Sequence, residues 1–214
     1  MDYSSERKAL VSSLVDEGYL KSKNVIDAML NVPRELFVPE SLMMSAYDDC
    51  PLPIGDGQTI SAPHMVALMT ESLKVEEDSV ILEVGAGSGY QAAVLAFLAR
   101  TGFIYSLERV PSLVEFARKN LASCGVKNVE VIHSDGTLGY ERHALYNRII
   151  VTAAAPRVPK ALIAQLKDGG LMLVPVGNRF LQNLVEVRKN GDEIKETSHG
   201  GCVFVPLIGH DGWN

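Results

Sequence analysis

Residues 80–91 read Val-Ile-Leu-Glu-Val-Gly-Ala-Gly-Ser-Gly-Tyr-Gln, a short apolar run that breaks into alternate glycines and then opens a helical stretch. A strand, a glycine turn and a helix in this order commit the chain to an α/β architecture that holds a nucleotide-like ligand. Gly85, Gly87 and Gly89 permit positive φ and let a ligand lie against bare backbone. The spacing then separates the ligands. A dinucleotide fingerprint needs G-x-G-x-x-G, with its third glycine beside a pyrophosphate, and here Tyr90 holds that third position. Glu83, at the end of the apolar run, would repel phosphate and suits a cationic amino-acid group. Roughly 20 residues further on, the run 103–108 ends in Glu108, placed at a second strand tip to accept from both hydroxyls of a ribose. S-adenosylmethionine carries a ribose, an ammonium group and no phosphate, so it fits all three observations. An ordinary βα turn with an incidental acid is the competing reading of the glycines alone, and Glu83 and Glu108 together count against it.

The order of elements extends this reading. Apolar spacing predicts two amphipathic helical stretches over 4–31, separated near Gly18. Pro33, Pro39, Pro51 and Pro53 then punctuate a segment, 33–60, expected to be loop-rich with little regular structure. Ser61-Ala62-Pro63 begins a helix that runs to Leu73. From Val80 strands near 80–84, 103–108, 129–133, 148–152 and 171–176 alternate with helices near 88–100, 111–124 and 159–167, which implies a parallel sheet covered on both faces. After Val176 the alternation in 184–188, the Asn190-Gly191 hairpin signal and a strand at 203–205 predict an antiparallel edge. The expectation is one domain over 1–214: a helical and loop extension at 1–60, a cofactor-binding core at 61–176, and an antiparallel edge and tail at 177–214.

Composition narrows the function. The chain has 214 residues, 47% of them hydrophobic, enough for one domain with a sizeable core. No apolar run approaches the ~18 residues that span a bilayer, and charged Asp2, Glu6, Arg7 and Lys8 stand where a signal core would be. A cytoplasmic protein without membrane association is expected. The net charge of −6 argues against general nucleic-acid binding, which is gripped through Lys and Arg. Cys50, Cys124 and Cys202 stand alone and the histidines form no helical pair, so neither a disulfide framework nor a metal site is expected.

Several motifs carry a more specific likeness: Val32-Pro33-Arg34-Glu35-Leu36-Phe37-Val38-Pro39, Leu52-Pro53-Ile54-Gly55 with Gly57-Gln58-Thr59-Ile60-Ser61, Pro63-His64-Met65, the run from Leu82 to Ala93, Val151-Thr152-Ala153-Ala154-Ala155-Pro156, and Phe204-Val205-Pro206-Leu207. Together, over nearly the whole chain, the sequence resembles the protein-L-isoaspartate O-methyltransferases. The resemblance implies a class I S-adenosylmethionine-dependent methyltransferase fold, Rossmann-like, with a mostly parallel seven-stranded sheet, an antiparallel C-terminal edge and added N-terminal helices. It implies a repair reaction in which the methyl group passes to the free α-carboxylate of L-isoaspartyl residues in damaged proteins and peptides, with S-adenosylhomocysteine as product. A monomer is expected. The alternatives are a class I methyltransferase for a small molecule or RNA, and a non-catalytic binding module.

The resemblance also implies site residues. Ser61 is the candidate catalytic residue, a hydroxyl that holds the substrate carboxylate; on local grounds the same residue fits a helix N-cap before Pro63. The expected cofactor contacts are His64, Glu83, Gly85, Gly87, Gly89, Tyr90, Gln91, Glu108, Arg109, Asp135, Gly136 and Thr152. The expected substrate contacts are Gln58, Thr59, Ile60, Ala153, Ala154, Val205 and Pro206, with Val203 to Leu207 as an edge for an extended peptide. A plain Asp-Gly turn at 135–136 and simple helix packing at 152–155 stay open. Asp211 and Trp213 either close over the cofactor or form a solvated tail. Asn147 stands where many relatives carry Asp, keeping an acceptor and losing a charge; this leaves an indirect effect on the site open and indicates no change of substrate. A carboxylate is already anionic near neutral pH, so no strong base is needed.

Overall fold

A computed structural model describes residues 2–214. Two helices, α1 (Tyr3–Asp16) and α2 (Lys23–Asn31), open the chain. Asp2 caps α1 by accepting from the Ser4 and Ser5 N–H groups. The segment after α2 has more order than its prolines suggest. It holds two 3-10 turns, Arg34–Phe37 and Glu40–Ser45, and a hairpin of β1 (Leu52–Gly55) with β2 (Gln58–Ile60). Asp56 and Gly57, both at positive φ, make the two-residue loop of that hairpin. Asp-Gly between short apolar runs is a hairpin signal in its own right, and it was the cue that the proline count obscured.

The helix α3 (Pro63–Leu73) leads into the alternating core: β3 (Val80–Val84), α4 (Tyr90–Leu98), β4 (Phe103–Glu108), α5 (Pro111–Ser123), β5 (Val129–His133), β6 (Tyr146–Val151) and α6 (Lys160–Gln165). Then come β7 (Leu166–Gly177), β8 (Gln182–Asn190) and β9 (Glu193–Cys202). The sheet runs β5-β4-β3-β6-β7-β8-β9, parallel from β5 to β7 and antiparallel beyond. The alternation predicts the parallel part and the antiparallel edge, and the resemblance implies the seven strands found here.

Several boundaries differ, three of them for a visible reason. The helix expected to 167 ends at Gln165, because β7 begins early, at Leu166. The second hairpin turns at Gly191-Asp192, one residue past the Asn-Gly signal, since Asn190 itself pairs with Glu193. The strand expected at 203–205 is not part of the sheet ladder; β9 stops at Cys202, and an isolated bridge joins Pro206 to Ala154.

Strand alternation sends Leu82, Val84, Ile149, Val151, Met172 and Val174 to one face and Ile81, Ile150, Leu171 and Leu173 to the other. The second face carries the larger core, covered by α4, α5 and the N-terminal helices. Among the described residues no helix is long and apolar enough to cross a membrane. An ion pair from Arg7 to Glu35, with the Tyr47 hydroxyl bonded to both, fastens α1 to the 3-10 turn below it. Phe37 drives the same turn into the core, fully buried and edge-on to Tyr90 at 5.5 Å between ring centroids. Phe37→Ala should therefore destabilise the protein by about 3–5 kcal/mol, measured as a shift in the denaturant midpoint at unchanged slope.

Candidate active site

Strand order reverses beside β3, with β4 on one side and β6 on the other, and a crevice opens at the carboxyl ends of such strands. Here it encloses about 940 Å³ including its mouth. The turn after β3 forms its floor. Gly85 and Ala86 N–H both donate to the Leu107 carbonyl, at 2.8 and 3.0 Å, which folds the turn back against the tip of β4. Gly85 has φ +100°, and a Cβ there would strike the Thr152 hydroxyl. That hydroxyl donates to the Gly85 carbonyl at 2.6 Å and ties β6 to the turn.

Glu108 is 7% exposed and holds the turn from the side. One carboxylate oxygen accepts from Gly87 N–H and the other from Val110 N–H, both at 3.0 Å. Each oxygen keeps a lone pair, enough for two further hydroxyl donors. A carboxylate offering two acceptors beside a glycine turn suits a ribose and repels a phosphate.

The cavity brings together most of the predicted positions. Gln58, Thr59, Ile60 and Ser61 enter from β2 and the approach to α3. Gly85, Gly87, Tyr90 and Gln91 come from the turn and the start of α4, and Glu108 and Arg109 from β4. Gly136, Thr152, Ala153, Val205 and Pro206 complete the predicted wall. Ser61 does not cap α3: Ala62 is the N-cap, with no side-chain cap bond. Gln91 is braced from outside by its amide, which donates to the Thr70 hydroxyl at 3.1 Å.

Five predicted residues do not line the cavity. Strand alternation turns Glu83 away from the side that Val84 presents to it. Glu83 is fully buried, with Ser106 Oγ donating to one oxygen and nothing bonded to the other. Burial, reinforced by the Glu108 charge, pushes its pKa up to about 8 against the Ser106 hydrogen bond, so it is mostly neutral at pH 7 rather than an anionic partner for an ammonium group. Gly89 faces α5, where a Cβ would press on Leu121 and the Ala117 carbonyl. His64 Nδ1 lies 3.0 Å from Asp49, whose carboxylate also accepts the His64 N–H at 2.8 Å. Asp49 thereby satisfies an otherwise free donor in the first turn of α3, a brace with no local sequence signature.

Asp135 is spent on the C-terminal segment. Its oxygens accept from Thr137 N–H, the Thr137 hydroxyl and the His210 N–H at 2.8 Å. Burial alone would raise its pKa, but these bonds outweigh it and hold the carboxyl below its ordinary value. Ala154 is committed through its backbone, donating to the Val205 carbonyl and accepting from Leu207 N–H, each at 2.8 Å. The edge expected to receive an extended peptide is therefore already paired on that side.

The tail is fixed. Trp213 Nε1 donates to the Ala154 carbonyl at 2.9 Å, Arg157 pairs with Asp211, and Leu207 and Ile208 join the cavity wall. Met69, Leu107 and Val110 also line it and escaped motif reasoning, since an apolar wall residue looks like any core residue. Asn147 lies at the opposite end of the sheet, where its Oδ1 accepts the Val80 N–H at 2.9 Å and completes the start of β3 rather than the cavity wall.

Residues 5–212 match the protein family described as "Protein-L-isoaspartate(D-aspartate) O-methyltransferase". The chain belongs to this family. A protein-L-isoaspartate O-methyltransferase of Hyperthermus butylicus is 53% identical, over 97% of this chain and 90% of the relative. Its counterpart in Methanopyrus kandleri is 54% identical, over 97% and 93%. Among solved structures, a chain assigned as a protein-L-isoaspartate O-methyltransferase from Plasmodium falciparum, in complex with S-adenosyl-L-homocysteine, is 29% identical with a TM-score of 0.85, over 94% of this chain and 98% of that one.

The buried acid makes a stability prediction for this family member. Because the folded state holds the Glu83 proton up to about pH 8 and an unfolded chain releases it near 4.5, its contribution is full below about pH 4.5 and declines as pH rises through 8. Chemical unfolding of Glu83→Gln and the native protein across this window should show the native protein losing stability relative to the variant. Parallel pH curves would contradict the neutral acid.

Proposed function

We propose that this chain transfers a methyl group from S-adenosyl-L-methionine to the free α-carboxylate of L-isoaspartyl residues in damaged proteins and peptides. One observation supports this beyond family membership: Glu108, the glycine turn and Ser61 all line a single cavity. The residues present suit the methyl donor. Glu108 supplies acceptors for ribose hydroxyls, the backbone of Gly85 and Gly87 lines the cavity, and Gly136 and Val110 offer apolar contact. When bound, the donor supplies an electrophilic methyl carbon on a sulfonium.

The chain's own task is alignment. A carboxylate needs no base to become a nucleophile, so holding it in line and keeping water out does most of the work; well-oriented reactions gain up to roughly 7–11 kcal/mol in this way. Ser61 donates its hydroxyl hydrogen to the substrate carboxylate. Gln58, Thr59 and Ile60 flank it on the strand leading into α3, while Thr152 and Ala153 give a low wall that admits a peptide backbone. Val205 and Pro206 close the far side and, with Leu207 and Ile208, exclude solvent. His64, Asp49, Asp135 and Glu83 act behind this wall as braces. The substrate is protein rather than nucleic acid, as the net charge of −6 favours, and the chain acts as a monomeric single domain with residues 1–60 as its cover.

Glu108→Ala should weaken S-adenosylmethionine by about 1.5–3 kcal/mol, the scale of one hydrogen bond to a charged group. Titration calorimetry returning unchanged affinity would remove Glu108 from the ribose. The reaction itself is tested with radiolabelled methyl donor and a peptide pair, one containing L-isoaspartate and the other normal aspartate. Base-labile label should enter the first alone, and Ser61→Ala should slow that transfer far more than it weakens donor binding. Label in both peptides, or in neither, would refute the proposal.

A further inference from the structure

Arg34, in the turn after α2, is the largest fully buried side chain of the protein, at 0% exposure. Burying a guanidinium is costly unless it is paired, and among the described residues Arg34 has no ion-pair partner. The acids nearby are engaged elsewhere: Glu35 with Arg7 and Tyr47, Asp49 with His64. Instead Arg34 Nε donates to the Ala46 carbonyl and Nη2 to the Ser61 carbonyl, both at 2.8 Å. Its guanidinium carbon stands 5.0 Å from the centroid of the Tyr90 ring, and Nη1 has no partner at all. A side chain kept only for packing would be served as well by an apolar one of similar volume.

Its neighbours suggest why the charge is there. Ser61 and Tyr90 both line the cavity, so the cation sits directly behind the wall. The charged residues of that wall are Glu108 and Arg109, consecutive where β4 ends. Gln58 to Ser61, Thr152, Ala153 and Val205 to Ile208 contribute no charge. We propose that Arg34 is a positioning residue that fixes the Ser61 backbone and supplies, through a low-dielectric wall, the positive potential that selects an ionised carboxylate. This rests on the isoaspartyl reading, which defines that carboxylate. The planar fork of arginine reaches two carbonyls at once, which a lysine cannot do as well, and a charge out of solvent is little screened by salt.

Calorimetry with S-adenosylhomocysteine present tests this on two peptides, one with the L-isoaspartyl carboxylate and one with that group as a carboxamide. The native protein should prefer the carboxylate by about tenfold or more, and Arg34→Gln should cut that preference to about threefold or less. Arg34→Lys should recover part of it, and Arg34→Gln, which takes a donor from the Ala46 and Ser61 carbonyls and so lowers the melting temperature, should raise KM for the peptide while leaving S-adenosylhomocysteine affinity near native. Equal weakening of both peptides, or a matching loss of S-adenosylhomocysteine affinity, would reduce Arg34 to a packing role and overturn the proposal. Should Arg34→Gln not fold, the native protein decides. A preference that persists from about 0.05 to about 0.5 M salt supports a buried source, and one that vanishes assigns it to exposed charge and overturns it. Failure to methylate the isoaspartyl peptide at all would instead sink the functional reading beneath it.

Discussion

The Leu107 carbonyl is the hinge on which the rest of the structure turns. By accepting both the Gly85 and Ala86 N–H groups it bends the chain out of β3 at the tip of β4. Glu108, the next residue, then accepts from Gly87 and from Val110. One dipeptide thus satisfies four donors that a tight turn would otherwise leave unpaired, and unpaired buried donors are costly. The same carboxylate that shapes the turn faces the ligand, so the rigidity of the floor and its chemistry share a source.

Around this floor the protein builds its walls from parts far apart in sequence. The N-terminal cover meets the site through a short relay. Arg7 grips Glu35, the turn that carries Glu35 also carries Arg34, and Arg34 holds the carbonyl of Ser61. The C-terminal segment meets it through Asp135 and Ala154, which receive His210 and Trp213. Neither end is decoration on the parallel core; each contributes a face of the cavity.

Much of this was legible in the sequence, for identifiable reasons. Strand periods, glycine positive φ and Pro111 at the start of α5 are local properties, and the sheet, its edge and the placement of Gly85, Gly87 and Glu108 followed from them. What escaped was non-local. The direction of Glu83 depends on which face of β3 meets the cavity, and the occupation of Asp135 depends on a segment 75 residues later folding back onto it. The pairing of Asp49 with His64 spans 15 residues that include the β1–β2 hairpin and has no periodic trace. Asp56-Gly57 was a local signal outvoted by the surrounding prolines.

The segment 204–207 has little left to offer a visiting backbone. Phe204 N–H is taken by the Gln182 side chain, Pro206 has no N–H, and Leu207 N–H is taken by Ala154. A guest chain laid here meets the Val205 N–H but no continuous row of donors, so it cannot be stitched in as a full rung. So sparse a row of main-chain donors reads almost nothing of the residues beside a bound group, and indifference to flanking sequence is written into the backbone itself.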